Sequence, residues 1–388
     1  MPPEADRTPL QRALALAELS IGLSDPNPRV GCVIVGAGWC AEGHTQAAGQ
    51  AHAEVMALRA AHAAGHDPRG STVYVTLEPC AHHGRTPPCC DALVEAGVGR
   101  VVVAVGDPNP QVAGRGLARL RAAGIAVEVV GGELARTARE LNIGFFSRMR
   151  RGRPWVRLKA AASLDGRTAL ANGVSQWLTG EVARADGHAW RRRAGAVLTG
   201  VGTVLADDPR LDVRHVPTAR QPLRVVVDAP LHTPPSARLL APPGEVLIYH
   251  ATPAANATEA ADAAARANAL RERGAELVGL PDARGKVDLA LMLADLGRRG
   301  INELHVEAGH KLNASLLATG QVDELLVYLA PRLVGAGHGI AALGPFERLT
   351  DTLALRWHAV ERVGDDLRLL ARLPAARLPG DPADDPTG

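Results

Sequence analysis

Residues 52–54 read His-Ala-Glu, and residues 78–90 read EPCAHHGRTPPCC. Together the two stretches carry an imidazole, a carboxylate and two thiols separated by eight residues. A catalytic zinc ion binds three protein ligands and keeps its fourth position open for water. The pattern therefore predicts that His52, Cys80 and Cys89 hold zinc, with Glu54 left free to move protons.

This pattern leaves open which cysteine is the second thiolate ligand. Cys90 adjoins Cys89 and could bind zinc in its place. Cys32 and Cys40 are interpreted as packing residues. Cys80 follows Pro79, which predicts that the next helix begins at Cys80. A helix N-terminus would favour the thiolate form of this cysteine, which is the form that binds metal.

The longer strings around these residues resemble a known family. H-x-E followed by P-C and a second cysteine is the pattern of zinc-dependent nucleobase deaminases, in which the glutamate is not a ligand. The wider match is to the bifunctional riboflavin-biosynthesis deaminase/reductase family, whose pattern assigns the first cysteine of the Cys-Cys pair to zinc. The strings that carry it in the first half are NPRVGC at 27–32, HAEV at 52–55, TLEPC at 76–80, residues 82–93 and GDPNPQVAGRG at 106–116.

The resemblance continues into the second half and implies two domains. The matching strings there are LKAAASLDGRTA at 158–169, SQWLTG at 175–180, TVLADDPRL at 203–211 and VEAG at 306–309. The fold class implied is α/β, a cytidine-deaminase-like three-layer domain over 1–147 followed by a dihydrofolate-reductase-like α/β domain over 148–377. The basic segment 148–154 is interpreted as the joint. Residues 378–388 are too rich in Pro, Gly and Asp to pack and are expected to be disordered.

The family implies a substrate and a chemistry for each half. The first half would hydrolytically deaminate 2,5-diamino-6-(5-phosphoribosylamino)pyrimidin-4-one, with Asn27 and His82 contacting it. The second would reduce the ribosyl side chain to ribityl with NADPH. Its substrate contacts would be Ser175, Arg191, Leu211, Arg214 and Glu307. A guanidinium fork suits a ribose 5-phosphate, and Lys159 could assist the sugar chemistry.

The same resemblance assigns the contacts to NADPH. Gly200-Val201-Gly202-Thr203 alone is weak evidence for a dinucleotide loop, since the third glycine of the usual motif is missing. Ala229 stands where the family often has serine, so we expect weaker binding of NADPH there. The residues implied are Ala161, Trp177, Thr203, Asp207, Ala229, Gly309, His310, Lys311, Leu312, Asn313, Ala314 and Ser315.

Composition limits the partners and the compartment. A formal net charge of +2 lacks the broad basic field of a protein that follows a nucleic-acid backbone, so a small anionic substrate fits better. Aromatic residues are only 3%, which favours α/β layers built from Val, Leu, Ile and Ala. Five cysteines, no secretory signal and no long apolar run predict a reducing, cytoplasmic setting. A homo-oligomer that binds neither membrane nor nucleic acid is expected.

Two other functional classes stay open. A nucleobase or tRNA deaminase with a non-reductase ligand-binding C-terminal domain would share His52, Glu54 and the cysteines, although the long spacing between the cysteines argues against it. A non-catalytic zinc module would keep the three ligands and have no need of Glu54. The carboxylate therefore favours an enzyme.

Overall fold

Two large β-sheets, one in each half of the chain, organise the structure. The computed structural model describes residues 4–84, 86–110, 112–251, 257–374 and 376. The chain divides into two units, Met1–Gly152 and Arg153–Gly388. No helix in the described ranges is long and apolar enough to cross a bilayer. The tail predicted to be disordered, 378–388, lies outside the described residues.

The first unit is a five-stranded sheet in the order β2-β1-β3-β4-β5. β1 is antiparallel to β2 and β3, whereas β3, β4 and β5 are parallel. The strands are β1 Gly31–Gly36, β2 Trp39–His44, β3 Thr72–Val75, β4 Arg100–Val103 and β5 Ala126–Val129. The helices are α1 Glu4–Glu18, α2 Ala53–Ala63, α3 Cys89–Glu95, α4 Arg115–Ala122, α5 Gly132–Leu141 and α6 Ile143–Arg151.

Glycines let the first two helices lie directly on the sheet. A Cβ atom at Gly31 would lie 1.9 Å from the carbonyl oxygen of Ala13 in α1. One at Gly43 would lie 2.4 Å from the carbonyl oxygen of Ala53 in α2. Backbone therefore packs against backbone, and this contact fixes the start of α2, where the predicted zinc ligand His52 is the N-cap residue.

Three features of this unit differ from the expectations. Leu14, Leu16 and Leu19, set among alanines, predict a first helix over residues 12–20. α1 instead begins at Glu4, because buried Asp6 accepts a hydrogen bond from Tyr74 and pairs with Arg100 at 2.7 Å. β2 was not predicted, since WCAEGH has no clear alternation of apolar residues. The expected joint at 148–154 is helical as far as Arg151.

The second unit contains a nine-stranded sheet in the order β11-β10-β9-β8-β12-β6-β13-β16-β15. The strands from β11 to β13 in this order are parallel, and β16 and β15 continue the sheet antiparallel. The strands of this unit are β6 Trp155–Ser163, β7 Arg167–Leu170, β8 Ala196–Gly200, β9 Leu223–Val227, β10 Val246–His250, β11 Ala275–Gly279, β12 Glu303–Val306, β13 Glu324–Ala330, β14 Gly337–Gly339, β15 Arg356–Val363 and β16 Asp366–Arg372. β7 and β14 form a separate two-stranded antiparallel sheet.

Helices connect these parallel strands. They are α7 Glu181–Arg193, α8 Val201–Asp207, α9 Ala257–Glu272, α10 Leu289–Arg298 and α11 His310–Ala318. After β8 the chain adds β9, β10 and β11 outward on one side, and then returns to insert β12 between β8 and β6. The carboxyl ends of β8 and β12 therefore form a topological switch point, the place where open α/β sheets bind ligands.

Candidate active sites

One imidazole and two thiol groups converge in the first unit. Nδ1 of His52 lies 3.7 Å from Sγ of Cys80 and 3.4 Å from Sγ of Cys89. The three ligand atoms all lie within 4.8 Å of one another, and they form the one such group found in the described residues. This donor set suits zinc, which prefers nitrogen and sulfur ligands in tetrahedral sites.

Each of the three residues is held by a different element. His52 is the N-cap of α2, Cys80 lies in the loop after β3, and Cys89 is the first residue of α3. The prediction that a helix begins at Cys80 is wrong. The helix begins only after Pro87 and Pro88, because a residue that precedes proline is disfavoured in the helical conformation.

Electrostatics favour a thiolate at Cys80. Hydrogen bonds from the Cys89 thiol, from His52 and from the Cys89 backbone lower the pKa of Cys80 to about 4. That backbone N–H donates to Sγ of Cys80 at 3.3 Å. The hydrogen bond between Cys89 and Cys80 raises the pKa of Cys89. The hydrogen bond between His52 and Cys80 raises the pKa of His52. A divalent cation bound between the sulfurs would favour the thiolate at both.

Glu54 lies in the first turn of α2 and is 3% exposed. Burial raises its pKa, and the negative charge of Cys80 adds to the effect. Its oxygens do not belong to the converging ligand group. A buried carboxylate with a raised pKa beside a metal site is suited to accept a proton and return it near neutral pH.

Cys90, the alternative ligand, faces away from this group. Its thiol donates to the carbonyl oxygen of Pro79 at 3.2 Å and lies 3.6 Å from that of Gly116. Burial raises the pKa of Cys90, so it stays protonated. Of the two adjacent cysteines, the structure places Cys89 beside His52.

A cavity of about 310 Å³ adjoins the ligand group. Asn27 and His82, the predicted substrate contacts, both line it together with Glu54. Asp107 and Asn109 also line it, although sequence reasoning assigned them no role. The sequence contains a signal for a site position here, since both are polar residues in GDPNP, shortly after the carboxyl end of β4. Burial raises the pKa of Asp107 to about 7.

The same cavity contains one guanidinium group that the sequence did not reveal. Arg148 of α6 is the single Lys or Arg among the lining residues that the structure describes. Its Nη2 donates to the carbonyl oxygen of Pro26 at 3.1 Å, and its guanidinium lies 5.7 Å from the ring centre of Phe145. The expected joint at 148–154 concealed this residue, because it was interpreted as a linker.

In the second unit, α8 and α11 begin side by side at the switch point. A Cβ atom at Gly200, the last residue of β8, would lie 3.1 Å from Cδ2 of Leu312. One at Gly309, the N-cap of α11, would lie 3.6 Å from Oγ1 of Thr203. The first turns of α8 and α11 therefore pack against each other, and we call the region around Gly200, Thr203 and Gly309 the switch-point site. Helix N-termini at such a position commonly bind the phosphates of a dinucleotide.

The predicted cofactor contacts lie on several elements of the second unit. Ala161 lies in β6, Asp207 ends α8, Ala229 follows β9 and residues 310–315 form the first turns of α11. Burial raises the pKa of Asp207. Asn313 has a different task, since its buried side chain donates to the carbonyl oxygens of Ala308 and Ile340. It holds the turn before α11 in place.

Glu307 follows β12 and is the centre of a buried ionic cluster. Arg191 donates to both of its oxygens, at 2.5 and 2.8 Å. Nζ of Lys159 lies 4.0 Å from Oε2. Burial alone would raise the pKa of Glu307, but Arg191 and Lys159 outweigh it and lower that pKa well below its usual value. Burial lowers the pKa of Lys159.

Three of the remaining predicted substrate contacts, Arg191, Leu211 and Arg214, lie beside Asp212. Arg191 donates to the backbone carbonyl oxygen of Asp212, whose carboxylate accepts from Arg214 at 2.8 Å. Leu211 precedes Asp212, with a positive φ of 54°. Arg191 is thus held by Glu307 and Asp212, whereas Arg214 pairs with Asp212 and is 41% exposed.

Ser175 and Trp177 lie apart on the loop between β7 and α7. Arg184 stacks on the exposed ring of Trp177 at 4.8 Å. Ser175 and Trp177 thus lie on a loop that is separate in the chain from α8 and α11.

Comparison with known proteins assigns both halves. Residues 3–105 match the cytidine and deoxycytidylate deaminase zinc-binding region, and residues 154–369 match the RibD C-terminal domain. The riboflavin biosynthesis protein RibD of Escherichia coli is 44% identical over 377 residues, which cover 93% of this chain and 97% of that protein. The chain belongs to the RibD family.

Solved RibD structures agree with this assignment. RibD of Acinetobacter baumannii has a TM-score of 0.84 at 40% identity and covers 95% of this chain and 98% of its own. A diaminohydroxyphosphoribosylaminopyrimidine deaminase/5-amino-6-(5-phosphoribosylamino)uracil reductase from Thermotoga maritima has a TM-score of 0.81 at 32% identity, with 95% and 98% covered. The expected α/β fold class, a deaminase-like domain followed by a RibD reductase domain, is confirmed.

As a RibD family member, the chain is a bifunctional enzyme of the riboflavin pathway with a deaminase and an NADPH-dependent reductase activity. Its cofactors are zinc and NADPH. The donor set of His52, Cys80 and Cys89 fits the metal.

Proposed function

We propose that the first unit replaces one amino group of 2,5-diamino-6-(5-phosphoribosylamino)pyrimidin-4-one by a carbonyl oxygen, with water consumed and ammonia released. The observation that carries this proposal is the convergence of His52, Cys80 and Cys89 beside buried Glu54, at a cavity with polar walls. The name and similarity of the Thermotoga maritima protein support the choice of substrate.

In this proposal each residue of the cavity has one task. His52, Cys80 and Cys89 hold zinc, which supplies a water with its pKa lowered toward about 7. Glu54 takes a proton from the attacking water on its carboxylate and returns it to the departing amine. Burial keeps that carboxylate ready for both transfers by raising its pKa.

The walls of the cavity orient the substrate. Asn27, Asp107 and Asn109 offer amide and carboxyl groups to the polar edge of the pyrimidine. Arg148 would supply the positive charge that the phosphate of the substrate requires, because it is the single Lys or Arg in the described lining. It would bind the phosphate while its stem stays packed on Phe145.

The second unit then converts the ribosylamino side chain to ribitylamino. NADPH, held at the switch-point site, would supply the hydride. Thr203, Gly309 and the first turn of α11 would hold it. Arg214, with its exposed guanidinium, would receive the phosphate of the intermediate.

Lys159 is placed to supply the proton for this reduction. When the hydride adds to the sugar carbon that carries nitrogen, the bond from that carbon to the ring oxygen breaks, and the oxygen needs a proton. Burial lowers the pKa of Lys159 and so eases loss of its proton. Glu307 neutralises Arg191 and lies 4.0 Å from Nζ, where it orients the ammonium group.

We assign the two activities to the two units, with the boundary at Gly152 instead of the expected 147. α6 contributes Arg148 and Phe145 to the deaminase cavity, so the first domain must extend to the end of that helix. The expected limit of the second domain at 377 and the tail beyond it lie outside the described residues.

A single-turnover comparison tests the assignment. The deaminated uracil compound, supplied directly with NADPH, should be reduced by wild type and by Glu54→Gln alike. The diamino compound should be processed by wild type alone. Reduction of the diamino compound by Glu54→Gln would contradict the proposed order of the two steps.

We also propose that the chain forms homo-oligomers in the cytoplasm. β15 is an edge strand exposed on both faces, with Trp357 69% and Val360 57% exposed, and Leu349 just before it is 90% exposed. An apolar edge of this kind is usually covered, most simply by a second copy. The zinc thiolates need a reducing compartment, and all five cysteines are free.

A further inference from the structure

Glu78, of the TLEPC string, is a buried carboxylate with an unusual set of partners. It is 4% exposed and lies two residues before Cys80. Its Oε1 accepts hydrogen bonds from the backbone N–H groups of Gly116 and Leu117 at 2.9 and 3.3 Å. Its Oε2 accepts from those of Asp107 and Gly114 at 3.2 and 3.0 Å.

Four backbone donors thus replace the water that burial removes from this carboxylate. In the part of the chain that the structure describes, Glu78 pairs with these N–H groups and with no Lys or Arg. Two of the donors belong to the first turn of α4, so the positive end of the helix also favours the negative charge. A carboxylate held in this way joins the loop after β4 to the segment that carries Cys80.

Close packing at the same junction allows little movement. A Cβ atom at Gly116 would lie 2.1 Å from the carbonyl oxygen of Pro79 and 3.2 Å from Sγ of Cys90. The thiol of Cys90 donates to that same carbonyl oxygen. α4 therefore meets residues 78–80 backbone to backbone, with Cys90 filling the space beside it.

The loop that Glu78 holds contributes two side chains to the cavity. The backbone of Asp107 is bound by Glu78, while its side chain lines the cavity with that of Asn109. Oδ1 of Asp107 accepts from the backbone N–H of Asn109 at 2.8 Å, which couples the two residues. Displacement of Asp107 would therefore displace Asn109.

We propose that Glu78 is a positioning residue of the deaminase, which fixes residues 106–109 against the zinc-binding segment so that Asp107 and Asn109 meet the pyrimidine in a preset arrangement. Glu78 neither binds the metal nor transfers a proton in this account. The inference rests on the proposed deaminase function of the first unit.

The first test is Glu78→Gln, compared with Glu95→Gln on the exposed side of α3. The amide keeps the shape but turns an NH₂ group toward backbone donors, so two hydrogen bonds are lost. The KM of the diamino substrate should rise by about tenfold or more, with a smaller change in kcat. Zinc content, the absorption spectrum of the cobalt-substituted protein and the reductase activity on the deaminated compound should match Glu95→Gln.

A double-mutant cycle with Asp107→Ala separates positioning from a general loss of structure. If Glu78 acts through the loop, Glu78→Gln should change KM much less in the Asp107→Ala background than in wild type. Equal effects in both backgrounds would overturn the proposal. So would a wild-type KM in Glu78→Gln, or an altered cobalt spectrum, which would assign Glu78 to the metal site. Absence of deamination in wild type would instead refute the proposed function itself.

Discussion

In the proposed deaminase mechanism, protons move through Glu54. Replacement by Gln keeps the size of the side chain and removes the base, so deamination should fall by about 10²-fold or more. Zinc should remain, because Glu54 is not part of the ligand group. Ammonia release and metal analysis on the same preparation check this. Normal turnover with zinc retained would remove Glu54 from the mechanism.

Arg148 is predicted to recognise the phosphate of the deaminase substrate. Arg148→Gln should raise the KM of the phosphorylated substrate by about tenfold, the effect of one lost hydrogen bond to a charged group. The KM of the phosphate-free analogue should not change. Arg150→Gln is the matched control, since Arg150 stacks on Phe146 of the same helix and is not among the lining residues. Equal losses with both substrates would refute the role.

Asp107 should make the stability of the first unit depend on pH. Its pKa rises from an ordinary value of 3.8 to about 7 on folding, so the folded state binds more protons between these values. Stability therefore falls as pH rises from about 4 to 7, and the penalty is complete above 7. Asp107→Asn should raise the Tm at pH 8 and have little effect near pH 4. A Tm difference that is the same at both pH values would contradict this.

The zinc ligands were predictable as residues because their types and spacing are chemically restrictive. Arg148 was not, since an arginine in a basic run has a common structural explanation, and the position of Asp107 after β4 is a signal that does not show which cavity it lines. Their roles depend on which segments the fold brings to one cavity. The residues alone left the choice between Cys89 and Cys90 open, and the family resemblance assigned Cys89. The structure adds that the Cys90 thiol donates to the carbonyl oxygen of Pro79.

At the scale of elements, the contact of α2 with β2 should control the metal site. Gly43→Ala would place Cβ 2.4 Å from backbone atoms of Ala53 and Ala57, so α2 must shift and carry His52 with it. Such overpacking costs about 1–3 kcal/mol. Thermal unfolding and zinc loss to a chelator should both show the change. Gly187→Ala in α7, where no atom lies within 4 Å, is the control and should behave as wild type.

Strands with a regular apolar pattern were predictable, and edge strands were not. β9 and β13 are central strands, and their apolar runs, VVV at 225–227 and LLVY at 325–328, predict them. β2 and β15 are edge strands of their sheets, and β15 is exposed on both faces, which removes the alternation that prediction requires. The sequence pattern therefore does not predict β15.

At the scale of the whole molecule, the exposed edge of the second sheet is expected to form the contact between copies. Val360→Glu would place a charge in the centre of that surface, where Val360 is 57% exposed. The molar mass measured by light scattering should fall to that of the 40.5 kDa monomer. Leu170→Glu, on β7 and also partly exposed, serves as the control. An unchanged mass in Val360→Glu would place the contact elsewhere.

The central claim is that one chain carries out deamination and then reduction, each in its own unit. The most direct measurement supplies the zinc-loaded protein with the diamino compound and NADPH and follows ammonia and NADPH in one vessel. Ammonia should appear first and NADPH should fall after a lag, with one NADPH consumed for each ammonia released. Consumption of NADPH before ammonia appears, or ammonia with constant NADPH, would contradict the account.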